Sequence, residues 1–175
     1  MKLLGISGSL RRDSHNSALV REAERAFAPS AFTFADIRFP LFDEDLEAEG
    51  IPEAVTAFHS ALETADAIVI STPEYNKGLS GVLKNALDWS SRVKPMPMRD
   101  KPVAIMSATA GRAGGERTQM TLRHCLLAFR PRLLTGPELM VAGADKAFDN
   151  GRLVDPKALD VLQALMAELR RAAGG

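Results

Sequence analysis

The chain has 175 residues, and 22 lysines and arginines balance 22 aspartates and glutamates. That length makes one domain with a sizeable core, and a net charge of zero argues against a general nucleic-acid binder. No apolar run reaches membrane-spanning length, the start lacks a signal peptide's features, and a lone cysteine excludes an internal disulfide framework, so a cytoplasmic location without membrane or nucleic-acid partners is expected.

Leu3-Leu4-Gly5-Ile6 reads as a first strand, and Ala18, Leu19, Ala23 and Phe27 recur at helical spacing behind it. Between them lies Ser7-Gly8-Ser9-Leu10-Arg11-Arg12-Asp13-Ser14-His15-Asn16-Ser17. A helix start has unpaired N–H groups and partial positive charge, which suit an anion. Ser9, Ser14, Asn16 and Ser17 can add donors, and Arg11 a full charge. Dinucleotide and P-loop glycine fingerprints are absent. The loop therefore suits a terminal monophosphate better than a pyrophosphate. A plain helix cap by Ser14 or Asn16 is the alternative.

Thr33 to Ile37 reads as a second strand, followed by a solvated acidic turn at Asp43, Glu44 and Asp45. Pro52 opens a helix with Val55, Phe58, His59 and Leu62 on one side; His59 has no neighbour at metal-ligand spacing. No metal is expected. Ala67-Ile68-Val69-Ile70 reads as a strand buried on both faces. It runs into Ser71-Thr72-Pro73-Glu74-Tyr75-Asn76-Lys77-Gly78, at the end where open α/β sheets bind ligands. A helix with Val82, Leu83, Ala86, Leu87 and Trp89 follows.

Pro102 to Ser107 reads as a fourth strand, ending in the small-residue loop Ala108-Thr109-Ala110-Gly111-Arg112-Ala113-Gly114-Gly115, which lets backbone come near a flat ligand. The next helix has an apolar side of Met120, Leu122, Leu126, Leu127 and Phe129, with Cys125 expected as a small buried hydrophobe. Leu133-Leu134 and Leu139-Met140-Val141 form a short, interrupted fifth strand. Pro156 begins the last helix, and residues 172–175 read as a frayed tail. Alternating strands and helices imply a parallel sheet in the order 2-1-3-4-5, covered on both faces. The loops after strands one, three and four then converge.

With these pieces in place, the chain resembles the NADPH-dependent FMN reductases, flavodoxin-like quinone, chromate and azo-dye reductases. The matching segments are Gly8-Ser9-Leu10-Arg11 with Ser14 and Asn16, then Pro73-Glu74-Tyr75-Asn76, then Gly81-Val82-Leu83-Lys84-Asn85-Ala86-Leu87-Asp88-Trp89. Gly111-Arg112 with Gly114-Gly115, and Phe148-Asp149 with Gly151-Arg152-Leu153, extend it. The resemblance implies one flavodoxin-like FMN-binding domain over 1–175, a three-layer sandwich. It implies FMN as cofactor, with NADPH or NADH as co-substrate. Ser9, Arg11, Asn16 and Ser17 would take the phosphate, with Ser14 nearby. Pro73, Glu74, Tyr75 and Asn76 would border the isoalloxazine. Ser107 and the loop carrying Gly111 and Gly114 would approach its pyrimidine side.

The implied activity is ping-pong hydride transfer to flavin N5, then two-electron reduction of a quinone, chromate, an azo compound or free flavin. No side chain is needed as acid or base; Tyr75 is the candidate for positioning flavin or substrate. Arg112 reads either as a clamp on nucleotide phosphate or as a surface arginine. A homodimer or homotetramer is implied, with Trp89 either an interface anchor or a core residue. An electron carrier of flavodoxin type and a non-catalytic flavin sensor are the alternatives. Ser80 stands where the family usually has proline, which implies a looser turn before the helix.

Overall fold

The computed structural model describes residues 1–174. Its sheet is built from β1 (Lys2–Ser7), β2 (Ala31–Phe34), β3 (Ala67–Ser71), β4 (Pro102–Ala108) and β5 (Arg132–Leu133), in the order 2-1-3-4-5. A sixth strand, β6 (Leu139–Val141), also pairs with β4, beyond β5. The interrupted fifth strand is thus two short parallel strands on one neighbour. All these pairings are parallel, as right-handed crossovers through helices require.

Side-chain alternation splits the core into two layers. Leu3, Val69, Ala104 and Met106 face α1 (His15–Phe27) and α7 (Pro156–Ala172). Leu4, Ile6, Ile68, Ile70 and Ile105 face α3 (Glu53–Thr64), α4 (Gly81–Arg92) and α5 (Glu116–Leu126). A strand buried on both faces must be apolar at every position, and β3 is buried throughout. Among the described residues no helix is long and apolar enough to cross a membrane.

Several expectations shift. β2 ends at Phe34, and Ala35 adds one more backbone bond to Gly5 before the chain turns away. The acidic turn holds a short helix, α2 (Glu44–Glu49), capped by Asp43 accepting from the Asp45 N–H. Cys125 is half-buried against the second layer. His59 is a packing residue that donates from Nε2 to the Pro95 carbonyl at 2.9 Å. The expected tail begins within α7, and Gly175 lies outside the described residues. Past β6 come α6 (Ala144–Ala147) and a hairpin of β7 (Phe148–Asp149) and β8 (Arg152–Leu153). Its turn, Asn150-Gly151, has positive φ at both residues, the two-residue hairpin geometry that such a pair favours.

Trp89 is fully buried, which places it in the core. Its Nε1–H and the Asn85 amide both donate to the Pro40 carbonyl at 2.9 Å. The Phe42 N–H donates to Asn85 Oδ1 at 2.8 Å, and the Phe42 ring meets Trp89 edge-on. Arg92 bonds both Glu47 oxygens at 2.9 Å, and that contact raises its pKa. This part of α4 therefore clamps the segment 40–47. Lys84 and Asp88 form an exposed pair at 2.6 Å, worth a few tenths of a kcal/mol at most.

The loop before α4 opens with a two-residue turn. Tyr75 and Gly78 exchange both backbone bonds, at 3.1 and 3.0 Å, around Asn76 and Lys77 at positive φ. Ser80 is 1% exposed at the N-cap of α4, yet its Oγ has no partner among the described residues. Its φ of −63° is the value a pyrrolidine ring imposes, and its N–H donates to nothing among the described residues. Ser80→Pro should therefore remove an orphan hydroxyl and restrict the unfolded chain. We expect a gain of about 1 kcal/mol, or roughly 2–4 °C in Tm. Thermal unfolding checks this, and an unchanged or lower Tm would contradict it.

Candidate functional site

The loops that follow β1, β3 and β4 meet at one end of the sheet, with Asn16 at their centre. Asn16 is buried on the first turn of α1. Its Nδ2 donates to the Ala108 carbonyl at 2.9 Å. Its Oδ1 accepts from the Ala108 N–H at 3.0 Å and from Ser71 Oγ at 2.9 Å. One amide thus joins the helix start to the ends of β3 and β4. Asn16 borders the cavity while its side chain serves the scaffold, so what it can offer an anion is chiefly its backbone N–H.

The loop between β1 and α1 is preorganised by its own hydroxyls. Ser14 caps α1 by accepting from the Ser17 N–H at 3.4 Å. Ser17 Oγ bonds Ser7 Oγ at 2.9 Å, and Ser9 Oγ accepts from the Arg11 N–H at 3.4 Å. The Arg11 guanidinium has no partner among the described residues and lines the cavity with Ser9 and Ser14. Gly8 is needed here because a Cβ would lie 2.7 Å from Thr72 Oγ1 and 3.0 Å from Ser80 Oγ. The capping and anion-seat readings of the sequence are therefore compatible: Ser14 caps, and the helix start it caps opens on the cavity.

The second wall is the loop after β3. Pro73, Glu74 and Tyr75 line the cavity, whose volume is about 700 Å³. Tyr75 is 55% exposed, an unusual position for a large ring held by a tight turn. Glu74 commits its carboxylate to the start of α5. Its Oε2 accepts from the Arg117 and Thr118 N–H groups at 3.2 and 3.4 Å, and Arg117 Nη1 lies 3.5 Å from Oε1. The N-cap of α5 is Gly115, which has no side chain to offer, so Glu74 satisfies that helix start from another loop. Thr118 Oγ1 reinforces the join by donating to the Pro73 carbonyl at 3.1 Å.

The third wall is the loop after β4, through Thr109, Ala110, Gly111 and Arg112. Ser107 lies behind it, fully buried, donating to the Gly114 carbonyl at 2.6 Å and accepting from Gln119 Nε2 at 2.8 Å. Gly115 has φ +97°, and a Cβ there would sit 2.7 Å from Ser107. Ser107, Gly114 and Asn76 do not line the cavity, and Ser17 lines only a neighbouring one. The backbone N–H groups of Ala110 to Ala113 donate to nothing among the described residues. These same four residues line the cavity.

His15, Asp145 and Arg117 also line the cavity and were not singled out in the sequence. His15 Nε2 is 3.0 Å from Asp145 Oδ1, and its ring stacks on Phe148 at 5.1 Å. Asp145 arrives from α6, an element no sequence signal marked, whereas Asn150-Gly151 could have revealed the hairpin that carries Phe148. Among the described residues, no group of three or more His, Cys, Asp or Glu is placed to hold a metal ion.

Glu74→Ala should uncap α5 and lower the stability of the flavin-free protein by about 1 kcal/mol, the usual value of an N-cap carboxylate. Glu74→Gln, which keeps an acceptor, should lose less. Urea unfolding of both variants checks this; equal stability of Glu74→Ala and the parent would contradict the capping role.

The family model for NADPH-dependent FMN reductase matches residues 1–146. A curated relative, the NAD(P)H-dependent FMN reductase of Pseudomonas aeruginosa, is 46% identical over 181 residues, covering 99% of this chain and 98% of that protein. The quinone reductase of Escherichia coli is 36% identical, covering 93% and 89%. Among solved structures, the flavoenzyme NAD(P)H:(acceptor) oxidoreductase FerB from Paracoccus denitrificans superposes with a TM-score of 0.88 at 28% identity, covering 99% and 97%. A flavodoxin, WrbA-like protein from Agrobacterium tumefaciens shares the fold, with a TM-score of 0.63 at 17% identity over 99% of this chain and 96% of that one. With the site's three loops in the positions its sequence implied, the chain belongs to the NADPH-dependent FMN reductase family, flavin-dependent NAD(P)H oxidoreductases.

Proposed function

We propose that the protein works by ping-pong two-electron transfer, taking hydride from NAD(P)H, releasing the nicotinamide, and passing both electrons to a quinone or similar acceptor. Chromate, an azo compound and free flavin fall in the same acceptor class. The observation that carries this reading is that three loops at the sheet's carboxyl edge line one cavity, with Ser9, Arg11, Ser14 and the start of α1 on one side and the small-residue loop from Thr109 to Ala113 on another.

The residues suit FMN. The start of α1, the Ser9 and Ser14 hydroxyls and the unpaired Arg11 guanidinium match a dianionic monophosphate in charge and donor type. Bound FMN supplies the redox chemistry, accepting hydride at N5 and returning two electrons to the oxidant.

The chain's own residues then orient and stabilise. Pro73 and Tyr75, which line the cavity, would border the ring on one side, and the loop from Ala110 to Ala113 would lie near its pyrimidine side. Backbone N–H groups of that loop would stabilise the negative charge a reduced flavin gathers there, at little reorganisation cost. Glu74 contributes indirectly, by locking the two ring-facing loops to each other. Ser107 likewise holds Gly114 in place. Tyr75, exposed beside the cavity mouth, positions the exchanging nicotinamide or acceptor. No general acid is required, since the rim is open to water. We further place the chain in the cytoplasm as a homodimer or homotetramer, in which a second copy covers the exposed Met120 and Leu127.

The test is purification without added flavin, then a visible spectrum and anaerobic titration with NADPH and with NADH. We expect an FMN spectrum bleached by nucleotide and restored by benzoquinone. Stable absorbance under excess nucleotide would contradict the reading and leave an electron carrier or a flavin sensor. Arg11→Ala should weaken FMN binding by about tenfold or more, the value of a charge-assisted hydrogen bond, with the fold unchanged. Equal affinity in variant and parent, by fluorescence titration, would remove Arg11 from the phosphate seat.

A further inference from the structure

Two neighbouring side chains tie the start of α1 to the elements around the cavity. Asn16 makes the buried tie, to Ala108 and Ser71. His15 makes the outer one, from Nε2 to Asp145 Oδ1 at 3.0 Å, with the Asp145 side chain 77% exposed. Both His15 and Asp145 line the cavity assigned above to the flavin.

The pair is held from both sides. The His15 ring stacks on Phe148, which is buried on the β7–β8 hairpin, with centroids 5.1 Å apart and planes 30° apart. Arg152 of β8 and Arg25 of α1 both bond the buried Glu22 carboxylate, at 2.5 and 2.9 Å, which fastens that hairpin to α1. Asp145 sits on α6, whose start hangs on the third wall of the cavity. There the Gly143 N–H donates to the Gly111 carbonyl at 3.3 Å, and the Ala144 N–H to the Thr109 carbonyl at 3.0 Å.

The contact settles a conflict of charge. Two carboxylates, Glu74 and Asp145, line a cavity whose proposed ligand ends in a dianionic phosphate. Glu74 is spent on the start of α5 and on Arg117. Asp145 has His15 as its one side-chain partner among the described residues. A carboxylate only accepts, so His15 Nε2 carries the shared hydrogen. The backbone N–H of His15, first residue of α1, has no partner among the described residues and belongs to the donors a helix start offers an anion. The Asp145 charge is therefore one side chain away from the phosphate seat. Freed from the imidazole, it would oppose the phosphate, because like charges sharing a site repel.

We propose that His15 is a positioning residue for the flavin: by holding the Asp145 carboxylate it lets the cavity accept a dianionic phosphate. The inference rests on the FMN reading above and deepens it. It assigns the imidazole an effect on the phosphate end of the cofactor, exerted through Asp145.

The test compares the affinities of the flavin-free protein for FMN and for riboflavin, by quenching of flavin fluorescence. His15→Phe keeps a ring to stack on Phe148 and removes the donor. It should lower the preference for FMN over riboflavin about fivefold at low salt, with riboflavin affinity unchanged. The loss should shrink in about 0.5 M KCl, because Asp145 is exposed to solvent. Asp145→Asn in the same background should restore the preference, which it would not do for a loss of packing. His15→Gln, which keeps a donor, should retain most of it. An FMN preference unaltered by His15→Phe, or lowered and not returned by Asp145→Asn, would overturn the role while leaving the phosphate seat intact. A parent protein with no preference for FMN would sink the seat itself, and this role with it.

Discussion

The arrangement depends on one buried amide. Asn16 satisfies both groups of Ala108 and the hydroxyl of Ser71 from the first turn of α1, and so fixes two sheet ends, those of β3 and β4, to one helix start. Each of those bonds lies in a site shielded from water, where an unmade hydrogen bond costs a few kcal/mol. The doubly wound order brings β1, β3 and β4 side by side but leaves their loops free to diverge. Asn16 removes that freedom. The helix start, with its partial positive charge, is held against the loops that would face a ring.

A second layer of constraint comes from side chains that look functional and act structurally. Glu74 commits its carboxylate to capping α5, Ser107 holds Gly114, and Ser17 ties itself to Ser7. What they present to a ligand is backbone, preset and rigid. This suits a protein whose cofactor carries the reaction, because fixed dipoles stabilise charge without reorganising. Of the ionised groups that line the cavity, Arg11 and Arg112 have no side-chain partner among the described residues, while Glu74 and Asp145 face partners.

The layer order and the loop convergence were legible because burial on both faces leaves an unmistakable apolar run, as in Ala67-Ile68-Val69-Ile70. Side-chain roles within the loops were less so. A buried asparagine demands partners, but its type does not say whether they are phosphate oxygens or a strand end, and Asn16 chose the strand end. Trp89 was ambiguous for the same reason: its size suited an interface or a core, and the Pro40 carbonyl within reach of its N–H decides for the core. Asp145 reaches the site through tertiary packing alone, which no local pattern encodes. The Asn150-Gly151 turn, by contrast, carried its own signal.

The central claim is that the phosphate seat at the start of α1, rather than ring contacts alone, anchors the flavin. Comparing the affinities of the flavin-free protein for FMN and for riboflavin, by quenching of flavin fluorescence, tests it most directly. The account expects FMN to bind roughly 100-fold tighter, the value of about two charge-assisted hydrogen bonds. Equal affinities would show that the seat holds no phosphate and would contradict it.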